Sequence, residues 1–318
     1  MLVKNSFTHD ARVSREAKSL VQNGYDVTVV ALHAQGLATR ETTTDGIHIL
    51  RVSRGMGASL HAVSDPSQRK NNRRESARRV RALAVKAVKL AASSPVGEYV
   101  QRSIDGRMKS AALSTRPQLI HAHDLDTLRV GVELSQKLNV PLIYDSHEIA
   151  SQRNHHSSRR KRQSYDAEKK LIDKVDRIIM VSQGCADYTA DIYHIATPDV
   201  VMNCPDLPLH GSQPRDLRAE LDIPASDFLV VHQGSLQRNR GVEETIQAVR
   251  DIPNCTLVII GFGQHRPALE QFVIDEKLTH KVKFFGPVPS RELISWTASA
   301  DLGIATIVGK SKSYLYSM

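Results

Sequence analysis

Short runs of apolar, mostly β-branched residues alternate along the chain with segments in which apolar residues return every three or four positions. The runs are typical of buried strands in a parallel sheet, and the periodic segments predict amphipathic helices. Strands are predicted at Leu2–Val3, Tyr25–Leu32, Gly46–Val52, Gln118–Ala122, Pro141–Asp145, Arg177–Val181, Val200–Met202, Phe228–His232, Thr256–Ile260, Val282–Phe285 and Leu302–Thr306. Helices are predicted at Ala11–Gln22, Thr127–Leu138, Arg162–Val175, Gly184–Tyr193, Val242–Val249, Pro267–Asp275 and Ser290–Thr297. This alternation indicates the α/β class with doubly wound, Rossmann-like parallel sheets.

A proline-rich passage divides the alternation into two series. Prolines flank Gly211 there, a composition typical of an inter-domain linker. The pattern predicts a first domain over residues 1–203, a linker over 204–214 and a second domain over 215–318. We expect the carboxyl ends of the strands in the two sheets to face each other across a cleft, because open α/β sheets bind ligands at that edge.

The segment from Gln233 to Gly241 joins a predicted strand to a predicted helix and carries Arg238 and Arg240. Unpaired N–H groups at a helix N-terminus attract anions, and arginine keeps its charge at every accessible pH. The pattern therefore predicts a phosphate site in this loop. An ordinary strand-to-helix turn with solvated arginines has the same pattern.

Composition restricts the class of protein. Mean hydropathy is −0.31, hydrophobic residues make up 41% of the chain, and no apolar run approaches the length of a membrane span. Cys185, Cys204 and Cys255 lack metal-ligand spacing and predict reduced thiols. Polar residues follow too closely on Met1 for a signal peptide. We therefore expect a cytoplasmic protein.

A strongly basic insertion over residues 66–113 departs from the alternation. Over residues 69–109, twelve basic residues stand against three acidic ones, an excess equal to the +9 formal net charge of the whole chain. On a helical projection of Arg73–Ala92, apolar residues share one side and basic residues the other. This pattern fits a helix on the inner face of an anionic membrane, and it equally fits a solvated helix packed on the sheet. Nucleic acid is not an expected partner, because aromatic residues are only 5% of the chain and do not alternate with the charges.

Four motifs stand near the ends of predicted elements. They are His9-Asp10-Ala11-Arg12-Val13 with Arg15-Glu16-Ala17, His121-Ala122-His123-Asp124, Asp145-Ser146-His147-Glu148, and Gly234-Ser235-Leu236 with Arg240-Gly241. The stretches Asn203–Asp206 and Gly261–Gly263 fit the same series. In order and spacing the motifs resemble those of the retaining glycosyltransferases of family four, also described as group 1, which have the two-domain GT-B fold.

The resemblance implies a division of roles between the domains. The acceptor side would include Asp10, Arg12, His123 and Glu148. The donor side would include Gly234, Ser235, Arg238, Arg240, Gly241, Gly261, Gly263 and Val288. Two of these residues would be catalytic. His123 would lie beside the transferred sugar, and Arg240 would stabilise the charge that develops on the leaving diphosphate.

The residues alone leave other roles open. His123 could be a hydrogen-bonded histidine near the core, and Glu148 could bind substrate hydroxyls or cap the sheet edge. Arg12 could reach an anionic acceptor or the diphosphate, or it could pair with Glu16 on its own helix. Asp124-Leu125-Asp126 has the form of a metal-binding Asp-x-Asp motif, but we interpret Asp126 as the N-cap of the helix predicted from Thr127. No metal and no cofactor besides the nucleotide sugar are expected.

The sequence departs from the family pattern in three places. Ser235 stands where the family usually has arginine, and the first strand is nearly absent. The family's glutamates for the donor's sugar and ribose would follow Met318, so we expect a truncated chain with an incomplete second domain.

The leading hypothesis is a retaining hexosyltransferase that uses a nucleotide diphosphate sugar and a lipid-linked, cell-envelope glycan or small-molecule acceptor. One alternative is a non-hydrolysing GT-B sugar-nucleotide epimerase, which needs no acceptor. The other is a non-catalytic remnant that binds anionic membrane or polymer.

Overall fold

The computed structural model describes residues 1–8, 10–55, 95–153, 156–204, 215–308 and 312–316. The chain forms two compact units. The N-terminal unit contains Met1–Ser151 and Ser157–Val201, and the C-terminal unit contains Gln152–His156 and Met202–Met318. Apart from Cys204, the predicted linker lies outside the described residues. So does the predicted amphipathic helix Arg73–Ala92, and its membrane role stays a prediction.

The strands of the N-terminal unit form one sheet around the first residues of the chain. They are β1 (Thr28–Leu32), β2 (Arg40–Thr42), β3 (His48–Val52), β4 (Ile120–His123), β5 (Leu142–Ser146), β6 (Arg177–Met180) and β7 (Asp199–Val200). They pair in the orders β1-β3-β2 and β4-β5-β6-β7, and only β2 runs antiparallel to its neighbour. Leu2 bridges Val30 of β1 and Ala122 of β4 in parallel register and so joins the two groups. The predicted short first strand is this link.

Five α-helices lie among the described residues of this unit. They are α1 (Ala11–Gln22), α2 (Pro95–Ser114), α3 (Asp124–Leu138), α4 (Ser158–Lys169) and α5 (Gln183–Tyr193). Helix α1 has the predicted bounds and buries Val13 and Ala17. Helix α2 was not predicted, because it lies in the segment interpreted as a basic insertion. It buries Ile104, Met108 and Ala112 against the core of the sheet. Four-residue spacing puts these three side chains on one helix face.

The prediction of one helix over Arg162–Val175 is wrong at both ends. Helix α4 begins at Ser158, since the Ser157 hydroxyl caps it by accepting the amide of Arg160 at 3.4 Å. It ends at Lys169, and a separate 3₁₀ turn follows at Ile172–Lys174. Within the described ranges, none of the helices combines the length and the apolarity needed to cross a membrane.

The C-terminal unit is built on a parallel sheet in the order β10-β9-β8-β11. Its elements are β8 (Phe228–Ser235), β9 (Cys255–Phe262), β10 (Val282–Phe285) and β11 (Leu302–Ile304), with α6 (Leu217–Glu220), α7 (Val242–Ala248), α8 (Arg266–Asp275), α9 (Ser290–Thr297) and α10 (Lys312–Tyr316). Val242 and Ile246 of helix α7 are buried as predicted, and so is Val249, which directly follows the helix. The loop predicted from Gln233 begins only at Leu236, because Gly234 and Ser235 still pair with β9.

Candidate functional site

A buried carboxylate organises the polar residues at the carboxyl ends of β4 and β5. Asp145 lies opposite His123 in the parallel register of these strands. Its Oδ2 lies 3.2 Å from Nδ1 of His123 and 3.1 Å from Nε2 of His147. Its Oδ1 accepts a 3.0 Å hydrogen bond from Nη2 of Arg12 on α1. One carboxylate therefore holds two imidazoles and a guanidinium from three segments of the chain.

The protonation states follow from burial and these contacts. Burial alone would raise the pKa of Asp145, but hydrogen bonds from His123 and His147 and the charge of Arg12 hold that pKa well below its usual range. Burial lowers the pKa of His123 and outweighs the bond to Asp145. Burial opposes protonation of His147 too, but Asp145 and Asp124 raise the pKa of its ring. At neutral pH, His123 is therefore a neutral imidazole beside a carboxylate anion.

The contact with Asp145 also selects the tautomer of His123. A carboxylate only accepts hydrogen bonds, so the proton of the neutral ring belongs on Nδ1. The lone pair then lies on Nε2, which is buried and has no hydrogen-bond partner among the described residues. A lone pair of this kind can accept a hydrogen bond from a hydroxyl that reaches it.

A second acid–histidine pair lies beside the first. Oε1 of Glu16 lies 3.3 Å from Nε2 of His121, whose ring stacks on His123 with centroids 4.4 Å apart. Burial, with repulsion from Asp145, raises the pKa of Glu16 to about 7. The sequence motifs assign no site role to Glu16 or His121. The signal was present in the chain, because Glu16 lies one helical turn after Arg12 and so shares its face of α1.

Two sequence-based assignments on this side are corrected. Arg12 pairs with Asp145 and not with Glu16, and its contact with an anionic acceptor or the diphosphate stays a prediction. Asp126 is not an N-cap, because α3 begins at Asp124, directly after His123, and places Asp126 in its first turn. Asp10 is the N-cap of α1, and its Oδ1 accepts the amide of Val13 at 3.1 Å.

A small pocket of about 110 Å³ lies next to His123. Residues of the first strand, the start of α1, the β4–α3 junction and the end of β5 line it: Val3, Lys4, Asn5, Asp10, His123, Asp124, Asp126 and His147. Of the predicted acceptor-side residues, Asp10 and His123 thus share the pocket. Arg12 is not among the lining residues and pairs with Asp145. Glu148 is half-buried, and its backbone carbonyl accepts a hydrogen bond from the Ser146 hydroxyl at 2.9 Å.

The same cluster has donor atoms suited to a metal. Glu16, His121, His123 and Asp145 each offer a ligand atom, and all four atoms lie within 4.8 Å of one another. Imidazole and carboxylate are ligands that Zn²⁺ accepts. Arg12 and His147, however, already neutralise Asp145. The expectation that the protein needs no metal stays a prediction.

In the C-terminal unit, the predicted donor-side glycines lie where backbone segments touch. A Cβ on Gly261 would come within 2.0 Å of the Gly234 carbonyl oxygen, and one on Gly263 within 2.0 Å of that of Leu236. Gly241 has a φ of +69° and is the N-cap of α7. Close packing therefore requires glycine at Gly241, Gly261 and Gly263, whether or not a ligand binds there.

The remaining donor-side residues differ in their exposure. Arg238 is exposed, and half-buried Arg240 directly precedes Gly241, the N-cap of α7. Burial, reinforced by the charge of Arg240, lowers the pKa of His232 on β8. His232 is buried. It lies inside an apolar run, so no pattern in the sequence indicates that it would lie near Arg240. Val288 packs against the cluster that contains Trp296.

Two family models match the chain. The model described as Glycosyl transferase 4-like domain matches residues 9–205, and the model described as Glycosyl transferases group 1 matches residues 214–307. Over 206 residues the chain is 28% identical to D-inositol 3-phosphate glycosyltransferase of Arthrobacter sp. (strain FB24), covering 59% of this chain and 48% of that protein. It is 27% identical to glycogen synthase of Mycobacterium tuberculosis (strain ATCC 25618 / H37Rv) over 208 residues, 60% of this chain and 47% of that protein. The chain thus spans about half the length of these curated relatives.

Solved structures with the GT-B fold resemble most of the chain. Sucrose-phosphate synthase from Thermosynechococcus elongatus gives a TM-score of 0.68 at 17% identity, over 92% of this chain and 68% of that one. Anabaena HepE in complex with UDP-glucose gives 0.60 at 19% identity, over 96% and 72%. At these identities the likeness establishes the fold, and the predicted fold class is confirmed.

Proposed function

Since the chain belongs to the glycosyl transferase 4-like, group 1 family of glycosyltransferases, we propose that it moves a hexose from a nucleotide diphosphate sugar to an acceptor hydroxyl with retention. The acceptor is a lipid-linked, cell-envelope glycan or small-molecule alcohol. The N-terminal unit binds the acceptor, and the C-terminal unit binds the donor. The crystallised complex of HepE with UDP-glucose supports a nucleotide sugar as donor.

The observation that carries the proposal is the setting of His123. Its ring is buried beside a pocket, its Nδ1 contacts Asp145, and its Nε2 lacks a partner among the described atoms. A fixed, neutral imidazole with a free lone pair can accept a hydrogen bond from a hydroxyl of the sugar or the acceptor. Positioning of this kind contributes much of the rate of a group transfer.

On the donor side, Arg240, with Arg238, stabilises the diphosphate as it leaves. A cation fixed beside developing phosphate charge lowers the barrier without a metal ion. Gly234, where a Cβ would meet nothing within 4 Å, and Ser235 let the diphosphate approach the backbone closely. Gly241, Gly261 and Gly263 hold the surrounding loops together, and Val288 packs on the nucleobase. The transfer is therefore metal-independent and needs no cofactor.

The protein is cytoplasmic and associates peripherally with the inner face of the cell membrane. Exposed basic residues on and after α4 support this part of the proposal: Arg159, Arg160, Arg162, Lys169 and Lys170. Basic residues near an anionic bilayer each contribute about 1 kcal/mol of attraction.

Nucleotide binding and sugar transfer, measured separately, test the proposal. We expect Arg240→Ala to weaken UDP binding about 10–100-fold, the loss of one charge-assisted contact. Arg240→Lys should retain more affinity. Arg250→Ala, which removes an exposed arginine paired with Glu276 on the same unit, should change nothing.

His123→Gln should remove transfer and leave UDP binding intact. Interconversion of nucleotide sugars without an acceptor would instead favour an epimerase. UDP binding that is insensitive to Arg240→Ala, together with transfer that survives His123→Gln, would overturn the site assignment.

A further inference from the structure

Two arginines meet at the carboxyl end of β3. Arg54 lies two residues after the strand, and Arg107 on α2 donates a hydrogen bond to the Ser53 carbonyl oxygen at 3.3 Å. We propose that Arg54 and Arg107 form a binding site for a phosphate monoester. The site goes beyond the proposed function, in which neither arginine takes part. Its ligand is a soluble phosphate compound or the phosphate headgroup of a lipid.

The turn after β3 holds the two residues together. The Ser53 hydroxyl accepts the Gly55 amide at 3.1 Å and so fixes the backbone on both sides of Arg54. A Cβ on Gly55 would lie 3.0 Å from Nη1 of Arg107. The Arg107 guanidinium therefore lies against Gly55 and contacts the residues before and after Arg54. Positive side chains on such close segments repel each other, and a bound anion relieves that repulsion.

The part of the chain that the structure describes provides no carboxylate for this pair. Arg54 and Arg107 are half-buried, and neither forms an ion pair with a described residue. Asp105, two residues before Arg107 on α2, has other partners, since Oδ1 lies 2.7 Å from Nζ of Lys4 and Oδ2 contacts Nη2 of Arg129. Partial burial of a cation without a counter-charge costs free energy. Both arginines can therefore gain from an anionic ligand.

The pair lies at the edge of the sheet where open α/β folds bind ligands. β3, β1, the link at Leu2 and β4 are successive parallel neighbours in this sheet. Three strand spacings of about 4.8 Å place the ends of β3 and β4 roughly 14 Å apart. The proposed site is thus distinct from the place of His123 at the end of β4, and a monosaccharide phosphate is too short to occupy both.

The chemistry of the pair selects the class of ligand. A phosphate monoester carries a charge of about −1.5 to −2 at pH 7 and has three strong acceptor oxygens. Two guanidinium groups match this charge, and each presents its N–H donors in a planar fork that fits phosphate oxygens. A carboxylate or a phosphodiester brings a single negative charge and would leave one arginine without a counter-charge.

Two titrations of the purified full chain test the inference. Calorimetry with glycerol 3-phosphate, with glycerol as the uncharged control, tests a soluble ligand. Sedimentation with phosphatidic acid vesicles, against phosphatidylglycerol vesicles of matched surface charge, tests a lipid headgroup. We expect at least one monoester to be preferred over its control.

Charge-removing variants locate the binding. Arg54→Gln/Arg107→Gln should weaken the preferred binding at least about tenfold, because charge-assisted contacts are lost. Arg54→Lys/Arg107→Lys should retain more of it. The matched control, Arg116→Gln/Arg177→Gln, removes two exposed arginines elsewhere on the same unit and should preserve binding.

Either source of the phosphate supports the site if the glutamine variant removes the preference: glycerol 3-phosphate alone identifies a soluble ligand, and phosphatidic acid alone identifies a headgroup. Binding of neither monoester, or equal effects of the glutamine variant and its control, would overturn the inference. So would loss of glycerol 3-phosphate binding in Arg240→Ala, which would locate the anion at the donor-side loop. UDP binding is measured on the same samples, and its absence would count against the proposed function alone.

Discussion

Arg12 and Asp145 stand 133 positions apart in the sequence, and Nη2 of Arg12 donates a 3.0 Å hydrogen bond to Oδ1 of Asp145. The carboxylate is almost fully buried, and the guanidinium side chain is 14% exposed. This pair ties α1 to the end of β5. The other oxygen of Asp145, Oδ2, contacts the rings of His123 and His147.

We expect Asp145→Asn to destabilise the protein by about 3–5 kcal/mol, because removal of one partner leaves a buried charge uncompensated. The double variant Arg12→Met/Asp145→Asn should be less destabilised than the sum of its single variants, since neither charge then remains alone. Urea unfolding of the four proteins in this double-mutant cycle gives the coupling free energy. Additive effects would show that the pair does not contribute as a unit.

The stability of the protein should depend on pH through Glu16. Burial and the nearby charge of Asp145 raise the pKa of Glu16 from 4.5 to about 7, against the attraction of Arg12 and His147. Between pH 4.5 and 7 the folded state therefore binds more protons than the unfolded state, and this contribution to stability falls as the pH rises. The loss amounts to about 3 kcal/mol at pH 8.

Urea unfolding from pH 4.5 to 8 of the wild type and Glu16→Gln isolates this contribution, because His121, His123 and Asp145 titrate in both proteins. We expect the variant to gain stability relative to the wild type between pH 4.5 and about 7, and to keep a constant advantage above that pH. A difference independent of pH would mean that Glu16 titrates normally in the folded protein.

The basic residues of α4 should direct membrane binding. Arg159, Arg160 and Arg162 are exposed, so replacing all three with glutamate should abolish sedimentation with anionic phosphatidylglycerol vesicles and leave the fold intact. Binding of the wild type should also weaken as salt screens the charges. The matched control replaces three exposed basic residues elsewhere on the N-terminal unit, Arg116, Lys137 and Arg177. Equal effects of the two triple variants, or wild-type binding to neutral phosphatidylcholine vesicles, would contradict a role for α4.

Local signals in the sequence predict most of the helices and strands. The contacts between site residues depend on segments that are distant in the sequence, and local signals do not predict them. Helix α1 could be predicted to the residue, because Asn23 and Gly24 follow its apolar stripe and end it. The carboxyl end of α4 could not, because a separate 3₁₀ turn at Ile172–Lys174 follows it closely and the sequence does not separate the two. Motif spacing brought Asp10 and His123 to one pocket. The role of Asp145 as the shared partner of Arg12 and His123 required the register of β4 and β5, which no local pattern contains.

Gly241 allows a separation of structural from ligand-binding roles in the donor-side loop. Its φ is +69°, and a Cβ there would lie 1.8 Å from the carbonyl oxygen of Thr306. The Thr306 hydroxyl donates to the Gly241 carbonyl oxygen at 2.8 Å, so this close approach fixes the segment after β11 to the start of α7. Gly241→Ala must therefore bear the backbone strain of a positive φ and also displace Thr306.

Gly24 provides the matched control, because its φ is +86° and a Cβ there would meet nothing within 4 Å. We expect Gly24→Ala to cost about 1–2 kcal/mol of folding free energy, the strain of the left-handed conformation alone. Gly241→Ala should cost clearly more, since the backbone contact with Thr306 is lost as well. Thermal and urea unfolding without nucleotide measure both variants. Equal costs would mean that the contact with Thr306 adds nothing to the stability of the fold. A defect in Gly241→Ala that is confined to UDP binding would mean that glycine is required there for the ligand and not for packing.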